Sequence, residues 1–345
     1  MFKPALLFQT GMTLQRGKRV PIWGTAEPYA EVTAAIQSKT ARTRAGADGR
    51  WRLEVGPLSV SFAETLTLRS GAACLEYTDV QVGDVWLAAG QSNMEFYMEY
   101  DADSAEETPA CTDDALRFFD YPKVAYPGQL AEADYLAQHG RWRKAAPDQL
   151  RWFSAVGYYF AKEIRARYGV PVAIVGCNWS GTPACTWMSE ESLMEGGGRI
   201  YLDEYRAALE TLDRDAYEAE FRANWRIAPL DDEGYDAMMR GGFEPTDPNT
   251  PLEPIPVPGP KSEKRPGALY ESMLSCVAPY ALRGILYYQG ESDGDRYNQL
   301  YETLFPALIR GYRRLWGEDL PFLFVQLAPF GRWQNCDGTR YALIR

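Results

Sequence analysis

Residues 83–95, Gly83-Asp84-Val85-Trp86-Leu87-Ala88-Ala89-Gly90-Gln91-Ser92-Asn93-Met94-Glu95, set the terms for the rest of the chain. Val85, Trp86 and Leu87 favour a strand, and the two alanines suit a crowded sheet interior. Gly90 then ends the run, because glycine reaches backbone angles that strain other residues. Ser92 follows at once. In an open α/β sheet, the turn beyond a strand's carboxyl end is where ligands and catalytic groups collect. Two readings of Ser92 are open at this point. It is a nucleophile at a pocket rim, or it caps a short helix with Glu95 as its capping-box partner.

The same arrangement recurs downstream. Residues 171–176 read as a buried parallel strand running into Cys177-Asn178-Trp179-Ser180-Gly181-Thr182-Pro183. Residues 284–288 read as a third strand, running into Gln289-Gly290-Glu291-Ser292-Asp293, and residues 321–327 as a fourth. Helical patterns separate them. Val156, Tyr159, Phe160 and Ile164 form one stripe over residues 153–168, with Gly169 as the stop. Residues 190–227, 268–280 and 298–316 also read as helical, the last closed by Gly317. Alternating strands and helices imply a parallel sheet with crossover helices. Before residue 83 the texture differs. Short period-two runs, with turns at Asp48-Gly49 and Ser70-Gly71, predict a β-sandwich-like module. The expected organisation is therefore a β-domain over 1–82 and an α/β domain over 83–345. A helical and Pro-rich insertion occupies about 190–266. Residues 99–150 are polar and read as irregular, with His139 in a surface loop beside Gly140 and Arg141.

The formal charge of −11 argues against nucleic acid, whose phosphates need a basic face. No run approaches the ~20 apolar residues of a membrane helix, and the N-terminal stretch lacks the form of a secretory signal. The 6 cysteines are scattered, with no Cys-x-x-Cys pair, so a cytoplasmic protein is the default. With 1 histidine, a zinc site built from several imidazoles is excluded. The 10 tryptophans and 22 tyrosines suit either a large core or a cleft for sugar rings.

Gly90-Gln91-Ser92-Asn93-Met94, Asn178-Trp179-Ser180-Gly181-Thr182-Pro183 and Tyr288-Gln289-Gly290-Glu291-Ser292-Asp293 together resemble the sialate O-acetylesterase branch of the SGNH hydrolases. That branch includes carbohydrate acetylesterases acting on acetylated xylan. Met12-Thr13-Leu14-Gln15-Arg16 and Val20-Pro21-Ile22-Trp23-Gly24 are similar to its opening β-domain. The resemblance implies a flavodoxin-like α/β/α hydrolase domain and a serine esterase acting on O-acetylated carbohydrate, with no metal or organic cofactor. It makes Ser92 the nucleophile and the Gly181 N–H an oxyanion donor. Gln289 supplies a third donor from its side chain. The bland counterparts are a helix-start turn at Gly181 and a buried amide at Gln289. Gln91, Asn93, Trp179 and Glu291 are substrate-binding candidates. Trp179 suits a sugar face or the core, and Glu291 suits sugar hydroxyls or bracing of the pocket.

One departure stands out. The family's base is a histidine in an Asp-x-x-His block after the fourth strand, and these 345 residues contain no such block. The reading favoured by the sequence is that the C-terminal part is missing. His139 acting from its loop is the second, and a non-catalytic carbohydrate binder on an esterase scaffold is the third. A sheet without its last helix would expose an apolar face, so a homo-oligomer or a co-purifying C-terminal fragment is expected.

Overall fold

The computed structural model describes residues 1–129, 139–224, 257–294, 297–329 and 344. The chain opens with β1 (Lys3–Pro4), β2 (Thr13–Gln15), β3 (Val20–Thr25), β4 (Glu31–Ile36), β5 (Lys39–Arg44), β6 (Arg50–Val55) and β7 (Ser61–Ser70). Strands β1, β3 and β6 form one small sheet, while β4, β5 and β7 join a larger one. Val20, Ile22, Trp51 and Leu53 from the first meet Val32, Ala34, Leu66 and Leu68 from the second in a shared core.

The larger sheet continues through β8 (Ala73–Gly90), which spans both regions. Its first half pairs antiparallel with β7, and residues 73–79 are only partly buried. From Val80 to Gly90 every residue is buried, as expected where a strand is covered on both faces. Positions 82 and 83 are thus neighbours within one continuous strand. The motif at residues 12–16 serves this junction. Arg16 grips Asp84 through two hydrogen bonds of 2.8 and 2.9 Å, and Gln15 Oε1 accepts from Val85 N at 2.9 Å.

The second half of the sheet adds β9 (Asp113–Asp120), β10 (Trp142–Ala145), β11 (Val172–Asn178), β12 (Gly284–Tyr288) and β13 (Phe322–Phe324). The spatial order is β10-β9-β11-β8-β12-β13, parallel except for β10. The described helices are α1 (Ser92–Glu95), α2 (Ser104–Ala110), α3 (Ala155–Tyr168), α4 (Glu190–Glu195), α5 (Arg199–Thr211), α6 (Arg214–Asn224), α7 (Ser275–Val277) and α8 (Tyr301–Trp316). Side chains alternate across the sheet. Trp86 and Ala88 face Tyr158 and Ala161 of α3 in one core. Val85, Leu87 and Ala89 belong to the other, with Leu304, Leu308 and Tyr312 of α8. This is a three-layer α/β/α arrangement joined to an N-terminal β-region.

The helix expected over 153–168 begins at Ala155, where the Ser154 side chain accepts from Gly157 N, and ends at Gly169 in the left-handed region. The helix expected over 268–280 is shorter and distorted, a π-helical turn at Tyr270–Leu274 running into α7. The region 99–150 is not irregular, for β9 and β10 lie within it. Its acids hid the run Ala115–Phe119, which is wholly buried. Arg117 in that run is 1% exposed and satisfied by Gly11 O, Asp79 O, Asp114 O and the Asp79 carboxylate. Of the Pro-rich excursion expected over residues 231–266, residues 231–256 lie outside the described residues, as does the helical turn expected at 339–345 apart from Ile344.

Candidate active site

Gly90 pairs with Asn178 on β11 and with Tyr288 on β12, so three strand ends leave the sheet at one level. The chain passes from β8 to β9 and β11 on one side, then crosses to β12 and β13 on the other. This is a topological switch point, where open α/β sheets place their ligand crevice. The three expected motifs therefore meet at one rim.

Helix α1 is fastened to both neighbouring turns by alternate side chains. Gln91 is 2% exposed, and its Oε1 accepts from Gln289 Nε2 at 3.2 Å, Gly290 N at 3.3 Å and Ser292 N at 3.1 Å. Asn93 Nδ2 donates to Glu291 Oε1. Glu95 reaches the other way. Its Oε2 accepts from both N and Oγ of Ser180 at 2.7 Å, while Lys123 meets its other oxygen. Gln91 occupies the helix-cap position and makes no side-chain cap bond. Ser92 is therefore not the cap, and Glu95 is not its capping-box partner.

Ser92 stands apart from this network. Its side chain is half-buried and has no hydrogen-bond partner among the described residues. Its backbone N–H and that of Gly181 donate to no described acceptor. Gly181 lies in an exposed turn with φ +72°, and among the described residues beyond its chain neighbours a Cβ there would approach only Lys264, at 4.0 Å. Gln91, Asn93 and Glu95 are thus hydrogen-bonded, while the Ser92 hydroxyl and the Ser92 and Gly181 amides have no partner among the described residues.

Gln289 is placed at the same rim but is fully engaged. Its Nε2 faces Gln91 Oε1, Thr182 O and the Asp293 carboxylate, and its Oε1 accepts from Tyr287 and Tyr301 hydroxyls at 3.2 and 3.1 Å. In this arrangement its amide ties the second and third turns together. Trp179 is half-buried against the core, its backbone N–H donating to Gly90 O at 3.1 Å. Glu291 braces Asn93 with one oxygen, while the other is buried and unpartnered among the described residues. Burial raises its carboxyl above the usual range.

Two carboxylates matter here that the motifs alone did not single out. Glu95 was visible only as a capping candidate, and Asp293 only as the end of a motif. Asp293 is 2% exposed and accepts from Ala184 N at 2.9 Å and from Gln289. Burial raises its carboxyl to about 6, against the hydrogen bonds from Gln289 and Ala184. A raised folded-state pKa means that the folded chain holds a proton that the unfolded chain releases near pH 4. Stability from this group is thus present at low pH and lost as pH rises to about 6, by up to about 3 kcal/mol. Asp293→Asn should remove that part of the slope. Urea unfolding of both proteins from pH 4 to 7 checks this, and parallel curves would refute it.

His139 is not in a surface loop. It is 8% exposed, and the adjoining Gly140 is tied to Asp120 O and Gln9 Nε2 at 2.8 and 2.7 Å. Burial, then the charges of Lys123 and Arg143, pushes its imidazole down to about 3. It is neutral near pH 7 and a weak base.

Residues 257–342 match the family model described as carbohydrate esterase, sialic acid-specific acetylesterase. Sialate O-acetylesterase of Rattus norvegicus is 25% identical over 339 residues, covering 90% of this chain and 57% of that protein. The Homo sapiens protein of the same name is 24% identical over 350 residues, covering 96% and 56%. The chain thus spans a little over half the length of the curated relatives it matches. Among solved structures, a carbohydrate acetylesterase from Xanthomonas citri superposes with a TM-score of 0.70 at 27% identity, over 99% of this chain and 64% of that one. By these matches, the chain is similar in sequence to the sialate O-acetylesterases and in fold to a carbohydrate acetylesterase.

Proposed function

We propose that this chain carries the nucleophile and oxyanion donors of a serine esterase that removes O-acetyl groups from carbohydrate. The observation that carries the reading is that Ser92 Oγ, Ser92 N–H and Gly181 N–H have no partner among the described residues, at the rim where three strand ends meet. Ser92 Oγ attacks the acetyl carbonyl carbon, and the carbonyl oxygen takes the electron pair. The two N–H groups stabilise that charge, a contribution of about 3–4 kcal/mol per donor. Collapse expels the sugar alkoxide and leaves acetyl-Ser92, which water then hydrolyses. A base must take the Ser92 proton and later activate the water. None of the described side chains is hydrogen-bonded to Ser92.

The relatives' names support O-acetylated sialic acid or another acetylated carbohydrate as the substrate class, and acetylated xylan is the second substrate to separate from sialic acid. Acetate release from O-acetylated sialic acid, acetylated xylan and a simple aryl acetate tests the reading, in the presence and absence of imidazole. Release that depends on Ser92 and is at least tenfold faster on one glycan than on the aryl ester, by kcat/KM, is the expected result; roughly 1.4 kcal/mol of sugar recognition corresponds to that factor. Binding of the glycan without any acetate release would instead favour a carbohydrate-binding protein on this scaffold.

A further inference from the structure

We infer that Glu95 and Asp293 act as a pair of positioning residues that clamp the two ends of the 180–184 turn and so fix the direction of the Gly181 N–H. The inference rests on the esterase reading for its purpose, and on geometry for its substance. Glu95 is 4% and Asp293 2% exposed, yet each accepts a backbone N–H from this one turn. Glu95 takes Ser180 N and Oγ, both at 2.7 Å. Asp293 takes Ala184 N at 2.9 Å, and Gln289 holds Thr182 O at 3.2 Å. Gly181 lies between the two anchors, and among the described residues beyond its chain neighbours nothing comes closer than 4.0 Å to a Cβ built on it. Without anchors, such a turn would sample several orientations. An oxyanion donor is effective only when its direction is set before charge develops. Carboxylates suit this task because charge-assisted hydrogen bonds are short and roughly twice as strong as neutral ones. Glu95 also stands one turn from Ser92 on α1, so one side chain links the nucleophile's helix to the donor's turn.

The test uses Glu95→Ala and Asp293→Ala beside the isosteric Glu95→Gln and Asp293→Asn, which keep an acceptor oxygen. Two readouts are needed, amide exchange at residues 180–184 and Ser92-dependent hydrolysis of p-nitrophenyl acetate with imidazole supplied. The alanine variants should speed exchange, at Ser180 for Glu95 and at Ala184 for Asp293. They should lower kcat by about 100-fold with KM within about threefold, the effect of losing one oriented donor. The isosteric variants should recover most of kcat. Unchanged exchange, or an unchanged kcat in folded alanine variants, overturns the clamp. If an alanine variant does not fold, Glu95→Met or Asp293→Leu, which keeps the volume and offers no acceptor, takes its place, faster exchange supporting the clamp and unchanged exchange refuting it. Exchange that responds as expected in a protein with no Ser92-dependent turnover supports the clamp and refutes the esterase reading.

Discussion

Hydrolysis of p-nitrophenyl acetate by these 345 residues is expected to stay near the residual level until imidazole is supplied, and then to depend wholly on Ser92. A serine hydroxyl is a weak nucleophile without a base. General base catalysis contributes about 10²–10⁴-fold, and an effective base has its pKa near the working pH. The chain's one histidine fails that condition. His139 is 8% exposed and held at about 3 by burial and by the nearby Lys123 and Arg143 charges. No Asp-x-x-His sequence is present to supply another. Enzymes of this type that lose a triad member keep only the catalysis of the oxyanion hole and of binding. Imidazole in solution can take the Ser92 proton, because the hydroxyl is partly exposed and has no competing partner among the described residues. A rise on the order of tenfold or more over the Ser92→Ala background is expected, as partial recovery of the base's share. His139→Ala should leave both rates within about twofold. Rates with and without imidazole that are identical in the chain and in Ser92→Ala would remove Ser92 from the chemistry. Turnover without imidazole that disappears in His139→Ala would make the buried histidine the base after all.

Much of this arrangement was legible from sequence because the strand segments that carry it are almost wholly buried. Residues 284–288 and 172–176 are continuous apolar runs, and each ends in a glycine-bearing turn. The signal failed where a buried residue is charged. Arg117 breaks the pattern of β9, and only its distant partners on Gly11 and Asp79 make that burial tolerable. The buried state of His139 was hidden in a similar way, since a polar stretch of sequence reads as surface. At the site, positions were readable but commitments were not. Gln289 and Ser92 look alike as polar residues in turns. One is enclosed by acceptors and hydroxyls, the other open, and that contrast arises only when three strand ends are brought level. The carboxylates Glu95 and Asp293 were missed for the same reason, since their partners lie 85 and 109 positions away in sequence.

Gly90→Ala should destabilise the chain by about 4 kcal/mol or more and abolish Ser92-dependent turnover. Gly90 has φ +141°, a region that L side chains rarely enter, and occupying it costs about 1–3 kcal/mol. Space is the larger problem. A Cβ at this position would lie 2.1 Å from Tyr288 O and 2.7 Å from its carbonyl carbon. Both are backbone atoms of the adjacent parallel strand, so no rotamer can relieve the contact. Overpacking of this kind adds about 1–3 kcal/mol or more. Relief requires β12 to move away from β8, and the Gln91 N to Tyr288 O hydrogen bond of 3.0 Å lies directly in that path. Movement there also separates Gln91 from Gln289, Gly290 and Ser292, which set the position of Ser92 relative to the third turn. Gly290→Ala is the natural control. It has φ +150°, but its Cβ would meet the Leu327 side chain at 3.0 Å, which can turn aside. A loss of about 1–3 kcal/mol is expected there. Urea unfolding should rank the two, with Gly90→Ala the more damaged by at least about 1.5 kcal/mol. Equal midpoints, or a Gly90→Ala protein that keeps its turnover, would mean that β8 and β12 do not meet in the register that brings the three turns together.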